Sequence, residues 1–225
     1  RRVGCRHSGG SGVPGAQTDM KTGSVAFMLA LLCGVMALLP HAATAWLVFD
    51  RDAILSGQIW RAWTGHLVHL SWQHAMADTL VLSVSSWMLV HRAGVRVTVR
   101  ILLAGAPLIA LGLLFAVPDM GVYAGASGIA MLMAAAMGGR LWLEAPRLRG
   151  PLGLLAVAVL IRMALDAGDG LPNLSTLPDG IRVVWQAHAL GLLLGVWSAQ
   201  WHAPRSAGTL EPGPHTALRS RQSPA

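Results

Sequence analysis

The sequence has few charged residues for its length. Asp, Glu, Lys and Arg make up 12% of its 225 residues, while hydrophobic residues make up 54%. A soluble domain carries about 25% charged residues, so these proportions argue against a soluble globular protein and against a disordered chain. The mean hydropathy of +0.54 indicates instead that much of the chain faces lipid.

Cysteine and lysine are also scarce. Cys5 lies in a polar tail and Cys33 in an apolar run, and two cysteines cannot form a disulfide framework or a zinc-finger set. Lys21 is the single lysine among 17 basic residues, a bias typical of bacteria with GC-rich genomes. The net charge of +7 does not indicate nucleic-acid binding, because the chain contains no basic, aromatic-interleaved soluble segment.

Six apolar stretches, punctuated by Gly and Pro, occupy the middle of the chain. Most approach the roughly 20 residues that a helix needs to cross a bilayer core. We therefore expect an all-α fold, a polytopic bundle of six transmembrane helices over residues 22–202. The stretches cover residues 23–40, 73–90, 100–117, 125–143, 151–166 and 182–201.

The two ends of the chain lack a periodic apolar pattern. Residues 1–21 are polar and Gly-rich, and residues 203–225 are rich in Pro, Ser, Gly and Arg, so we expect both to be disordered. Met20 resembles a natural start, which would make residues 1–19 an upstream extension. A rival interpretation of the first stretch is a cleavable signal peptide that ends at residues 43–45, Ala-Thr-Ala.

The distribution of charge predicts the orientation in the membrane. With six spans, most of the basic residues share the side of the two termini, and the positive-inside rule places that side in the cytoplasm. We expect a multi-pass protein of the bacterial inner membrane. Tryptophans gather near both predicted interfaces: Trp46, Trp60, Trp63, Trp72 and Trp185 near the outer one, and Trp87, Trp142, Trp197 and Trp201 near the inner one.

Ser127 opens the fourth stretch within the sequence Gly125-Ala126-Ser127-Gly128. A lone serine in a membrane helix usually bonds back to a preceding carbonyl group. The flanking glycines let another backbone approach closely and leave the hydroxyl unshielded, so Ser127 is a candidate nucleophile.

His188 opens the sixth stretch beside a face of small residues. Ala187, Gly191 and Gly195 are spaced four apart, a pattern that allows tight helix packing. Stretches four and six begin on the same side, so Ser127 and His188 share a depth, and an imidazole within hydrogen-bond reach activates a serine. No orienting carboxylate is evident, so we expect a dyad; the alternative is a hydrogen-bonded interhelical histidine.

Three histidines precede or open the second stretch: His66, His69 and His74. They suggest a metal site, but no HExxH sequence is present, and a spacing of five does not put His69 and His74 on one helical face. The alternative is that His74 and Asp78, four apart on one face, reach the serine and support an oxyanion.

Taken together, these motifs resemble those of the rhomboid family of intramembrane serine proteases. The resemblance covers residues 23–201 and implies a six-helix core that cleaves membrane-anchored proteins without metal or cofactor. It implies that Ser127 attacks, that His188 acts as base, and that His74 and the Ser127 N–H bind the oxyanion. The matching residues are Trp60-Arg61, His69 to His74 to Asp78, Gly125 to Gly128, and Ala187-His188 to Gly191.

The run from Thr64 to Leu70, before Ser71-Trp72, most resembles the rhombosortase subgroup. That likeness implies substrates with a C-terminal Gly-Gly, an apolar helix and a basic tail, cut near the outer, periplasmic face.

Two residues depart from the family pattern. Asp78 occupies the place of an oxyanion-binding asparagine, and Met131 that of a tyrosine that stacks on the histidine. Asp78 can donate a hydrogen bond only as the protonated acid, which removal from water favours; otherwise it orients a histidine. These departures leave open a catalytically inactive rhomboid-like protein that binds membrane helices. A small transporter is disfavoured, because no internal repeat is visible.

Overall fold

The computed structural model describes residues 14–168 and 184–201, and that part of the chain is mostly helical. Six long helices match the six predicted stretches to within a few residues, apart from the start of the first. The elements are α1 (Pro14–Ala37), α2 (His41–Leu47), β1 (Phe49–Asp50), α3 (Arg51–Leu55), α4 (Arg61–Thr64), α5 (Trp72–Ala93), α6 (Val95–Ala116), β2 (Val122–Tyr123), α7 (Ser127–Glu144), a 3-10 turn (Pro146–Leu148), α8 (Arg149–Ala167) and α9 (Trp185–Trp201).

The first helix starts earlier than predicted. We expected disorder up to residue 21, but α1 begins at Pro14. Proline is favoured in the first turn of a helix, and no further proline interrupts the chain before Pro40. Residues 1–13 and the tail from residue 202, both predicted to be disordered, lie outside the described residues.

Two described helices are long and apolar enough to cross a membrane on that basis alone. They run from Val95 to Ala116 and from Pro146 to Ala167, and a shorter apolar helix covers Ser24–Ala37. The helix α5 is as long as α6 but buries polar side chains, among them Asp78, Ser85 and Ser86. Its interior face therefore lowers its hydropathy although it is a central element of the bundle.

The long helices pack around α7. The helix α5 lies between α1 and α7, while α9 contacts both α7 and α6. Their shared core contains the fully buried side chains of Leu82, Ile109, Leu113, Leu132 and Met133. The helix α8 stands apart, because Met163 is its single buried residue.

Glycine brings α7 and α9 into backbone contact. A Cβ atom at Gly191 would collide with the carbonyl oxygen of Gly128, and one at Gly195 would collide with that of Leu132. A Cβ atom at Gly128 would lie 3.3 Å from the carbonyl oxygen of Ala187. The predicted small-residue face of α9 is therefore confirmed as its contact with α7, and the two helices run parallel.

Two short strands and one arginine order the loops at the start of α7. Phe49 pairs with Tyr123 and Asp50 with Val122 in antiparallel register. The buried guanidinium of Arg61 donates through Nη1 to the carbonyl oxygens of Ala45 at 2.9 Å and Val48 at 2.8 Å. Arg61, part of the Trp-Arg motif, thus satisfies the backbone of the segment before β1.

Candidate active site

A cavity of about 500 Å³ lies between α5, α7, α8 and α9. Its wall includes all four side chains that the sequence nominates for chemistry, Ser127, His188, His74 and Asp78, together with Met131. The chain positions of these residues span three helices, so the fold has gathered them into one space.

Ser127 is the first residue of α7 and follows a turn that requires glycine. Gly125 has a φ of 130°, which residues with a side chain rarely adopt. A Cβ atom at Gly125 would also lie 2.9 Å from Cε1 of His74. The first N–H groups of a helix have no intrahelical acceptor, so the Ser127 N–H is a donor at the positive end of α7.

Tyr123 lies directly against this turn. Its hydroxyl donates to the carbonyl oxygen of Gly125 at 2.8 Å. Burial raises the pKa of Tyr123, and the Asp78 carboxyl adds to this effect. Tyr123 is therefore a neutral phenol that holds the turn before Ser127.

His188 lies in the first turn of α9 and is half-buried. The close approach of Gly128 to Ala187 joins α7 and α9 at this level. Ser127 precedes Gly128 and His188 follows Ala187 in the chain, so both side chains line the cavity from the first turns of two adjacent helices. The depth that the sequence predicted for this pair agrees with this arrangement.

Asp78 contacts two histidines through a single oxygen. Its Oδ2 atom lies 3.2 Å from Nε2 of His69 and 3.2 Å from Nε2 of His74. Nε2 of His69 also lies 3.3 Å from the backbone N of Ala126, whose N–H points at it. The cluster of His69, His74 and Asp78 thus reaches the residue that precedes Ser127.

His66 is separate from this cluster. Its Nε2–H donates to the carbonyl oxygen of Ala106 at 2.9 Å, and its ring packs edge-on against Tyr123 with centroids 5.5 Å apart. Burial lowers the pKa of His66 to about 4, although the Ala106 carbonyl opposes this shift. His66 is a neutral support for Tyr123 and α6.

The histidines do not form a metal site in the described part of the chain. Within residues 14–168 and 184–201, no group of three or more His, Cys, Asp or Glu side chains has the geometry to hold a metal ion.

The fourth wall of the cavity comes from α8 and carries an ion pair. Nη2 of Arg162 lies 2.6 Å from Oδ1 of Asp166, and both side chains line the cavity. The side chain of Asp166 is 6% exposed and that of Arg162 is 30% exposed. This pair adds charged groups to a cavity wall that is otherwise largely apolar on α8.

Sequence reasoning did not assign roles to His69 and Tyr123 at this site. His69 was part of the resemblance, but its contact with Asp78 depends on how the segment before α5 folds back. The sequence feature that could have pointed to Tyr123 is its position as the one tyrosine, four residues before Ser127. The sequence does not show the strand pair that fixes Tyr123 beneath the turn, so this spacing alone did not indicate a role.

Comparison with known families agrees with the geometry. A family model described as Rhomboid domain matches residues 56–204, which is more than half of the chain and includes every candidate site residue. No curated protein matches the chain at a significant level.

Proposed function

We propose a function from one premise: the chain belongs to the rhomboid family, whose members are typically intramembrane serine peptidases. It is a polytopic membrane protein that acts on membrane proteins. We infer that it is a serine endopeptidase with Ser127 as nucleophile and His188 as base. One observation carries this proposal: Ser127, His188, His74 and Asp78 line a single cavity.

The chemistry follows from the groups in that cavity. The Oγ atom of Ser127 attacks the scissile carbonyl carbon, and His188 takes the serine proton. The oxyanion that forms is stabilised by the Ser127 N–H at the start of α7 and by His74. The C–N bond then breaks, and His188 gives its proton to the leaving amine. Water repeats the sequence on the acyl-enzyme and frees Ser127.

We further propose six spans over residues 22–202, with both termini in the cytoplasm and the cavity facing the periplasm. The bias of basic residues toward the side of the termini supports this orientation. Exposed tryptophans at positions predicted for the two interfaces, such as Trp72 and Trp197, agree with it.

The substrates that we propose are proteins anchored by a C-terminal helix. The run from Thr64 to Leu70 resembles the rhombosortase subgroup, which suggests a Gly-Gly, an apolar helix and a basic tail in the substrate. Gly-Gly offers a scissile segment without side chains, so it can enter a cavity of about 500 Å³ at little steric cost.

A second candidate is a non-catalytic protein that holds membrane helices. It is favoured by the two departures from the family pattern, Asp78 and Met131, both of which line the cavity.

Co-expression with a reporter that ends in Gly-Gly, an apolar helix and a basic tail separates the two candidates. The wild type should shorten the reporter, and Ser127→Ala should not. Ser86→Ala is the matched control, because Ser86 is fully buried in α5 and does not line the cavity. Binding of the reporter without cleavage by the wild type would establish the second candidate, and cleavage by Ser127→Ala would exclude a serine mechanism.

A further inference from the structure

We propose that the Asp78 carboxyl is protonated and donates a hydrogen bond to His69, and that this neutral pair positions the turn that leads into Ser127. The role of the turn in cleavage rests on the proposed function, whereas the location of the proton does not.

The first proton of His69 is fixed by its surroundings. Nδ1 of His69 lies 3.1 Å from the carbonyl oxygen of Leu67. A carbonyl oxygen accepts hydrogen bonds and never donates them, so Nδ1 must carry a hydrogen. The side chain of His69 is 1% exposed, so water does not offer an alternative partner.

The contacts of Nε2, the second ring nitrogen of His69, then determine whether Asp78 carries a proton. The N–H of Ala126 points at Nε2 from 3.3 Å, which requires a lone pair on Nε2. A lone pair on Nε2 would be repelled by an ionised carboxylate oxygen at the 3.2 Å that separates it from Oδ2 of Asp78. A proton on Oδ2 removes the repulsion, and the single lone pair of Nε2 then accepts from both the Asp78 hydroxyl and the Ala126 N–H.

His74 is compatible with this arrangement. Its Nε2 lies 3.2 Å from the same Oδ2 and donates to the lone pair that the protonated oxygen retains. This contact is at the long end of the hydrogen-bond range, so a developing oxyanion can take it over. Nδ1 of His74 is buried without a partner, which costs less for an acceptor than it would for a second N–H.

The charged and titratable groups around Asp78 come from several packed elements. His69 and His74 lie 3.2 Å from its Oδ2 atom, and His188, Arg162 and Asp166 line the same cavity. Among the residues that line this cavity, Arg162 is the permanent cation, and its Nη2 atom pairs with Oδ1 of Asp166 at 2.6 Å. Asp78 is 7% exposed, and a buried carboxylate without a paired cation is expensive. The alternative, an ion pair of Asp78 with a charged His69, would leave the Ala126 N–H facing another N–H.

His69 is therefore a positioning residue. It connects Asp78 on α5 to the N–H of Ala126, the residue before the nucleophile. It acts on the reaction through the backbone and does not touch the scissile bond.

Infrared spectroscopy of the purified wild-type protein in lipid tests the location of the proton. We expect a carbonyl band of a protonated carboxylic acid that shifts in D₂O and disappears in Asp78→Asn. Asp166→Asn is the matched control and should leave the band in place, because Asp166 pairs with Arg162 as a carboxylate. A spectrum without the band, or a band that survives in Asp78→Asn, would overturn the proposal whether or not the protein is a protease.

Rescue by a conservative variant tests the positioning role. Asp78→Asn retains a donor for His69, so its reporter cleavage should exceed that of Asp78→Ala by about tenfold or more in rate. His69→Ala should add little to the loss in Asp78→Ala, because both changes break one connection. Equal rates for Asp78→Asn and Asp78→Ala, or additive losses, would contradict the role.

Discussion

The helices α7 and α8 follow each other along the chain and pack in opposite ways. The helix α7 is buried on most of its faces and meets the backbone of α9 through Gly128, Gly191 and Gly195. The helix α8 buries a single residue, Met163, and exposes Leu154, Leu155 and other large apolar side chains. Both helices line the same cavity.

This difference in packing fixes α7 and α9 relative to each other and leaves α8 loosely held. A nucleophile and its base must be held within a fraction of an ångström of the reactive geometry, and backbone contact between α7 and α9 provides such a constraint for the proposed pair of Ser127 and His188. The wall formed by α8 is held by few contacts, so we expect it to move at lower cost than α9. We also expect its exposed side chains to face lipid.

Gly191→Ala should disrupt the contact between α7 and α9, and we expect it to have the largest effect on stability and cleavage. The added Cβ atom would meet the backbone of Gly128, which cannot move aside, and such overpacking costs about 3 kcal/mol. Unfolding in mild detergent should show the loss, together with the loss of most reporter cleavage. Gly153→Ala on α8 is the control, because its Cβ atom would find only an ordinary contact at 3.7 Å from Trp142. Equal losses in the two variants would refute the contrast between the helices.

We expect the second-largest effect from acid, which should lower the stability of the packing around His66 and Tyr123. Burial lowers the pKa of His66 from 6.5 to about 4, so the unfolded chain binds a proton that the folded protein rejects. Stability should therefore fall as the pH drops from about 6.5 to about 4, by up to about 3 kcal/mol. His66→Gln can keep the bond to the Ala106 carbonyl without titrating and should flatten this pH dependence. A wild-type unfolding midpoint that does not change across this pH range would show that His66 is not the cause.

Breaking the ion pair on α8 should have a smaller effect on stability. The side chain of Arg162 is 30% exposed, and partly solvated pairs contribute under about 1 kcal/mol. Both partners are exchanged together, because the Asp166 side chain is 6% exposed and a buried carboxylate left without its cation is costly. The double variant Arg162→Gln, Asp166→Asn should therefore unfold within about 1 kcal/mol of the wild type, while its reporter cleavage changes because the cavity loses charged surface. A destabilisation as large as that of Gly191→Ala would mean that α8 is anchored as firmly as α9.

Ser86→Ala should have the smallest effect. The Ser86 hydroxyl is buried in α5 without a hydrogen-bond partner among the described residues, so its removal costs no hydrogen bond and relieves an unsatisfied group. We expect the unfolding midpoint to stay the same or to rise slightly. A clear loss of stability would reveal a partner for this hydroxyl.

The sequence predicted the helices better than the loops. Apolar length and Gly or Pro boundaries located α5 to α9 to within a few residues, because those signals are local. The spacing of Ala187, Gly191 and Gly195 also predicted a closely packed face on α9, since close helix packing demands small residues at that period; that α7 is the partner came from the structure.

The contacts within the site were less accessible from the sequence. Motif residues predicted that Ser127, His188, His74 and Asp78 would meet. No pattern indicated that one oxygen of Asp78 would contact both His69 and His74, or that Tyr123 would hold the turn before Ser127. These contacts depend on the pairing of β1 with β2 and on the fold of the segment before α5, which join residues far apart in sequence.

Labelling with a fluorophosphonate tests the central claim, that Ser127 is a nucleophile activated by His188. The probe forms a covalent bond to an activated serine oxygen, and mass spectrometry of the labelled protein identifies the residue. We predict labelling of Ser127 in the wild type and in Ser86→Ala, and its loss in Ser127→Ala and in His188→Ala. Absence of label from the folded wild-type protein, or labelling of Ser127 that persists in His188→Ala, would contradict the dyad.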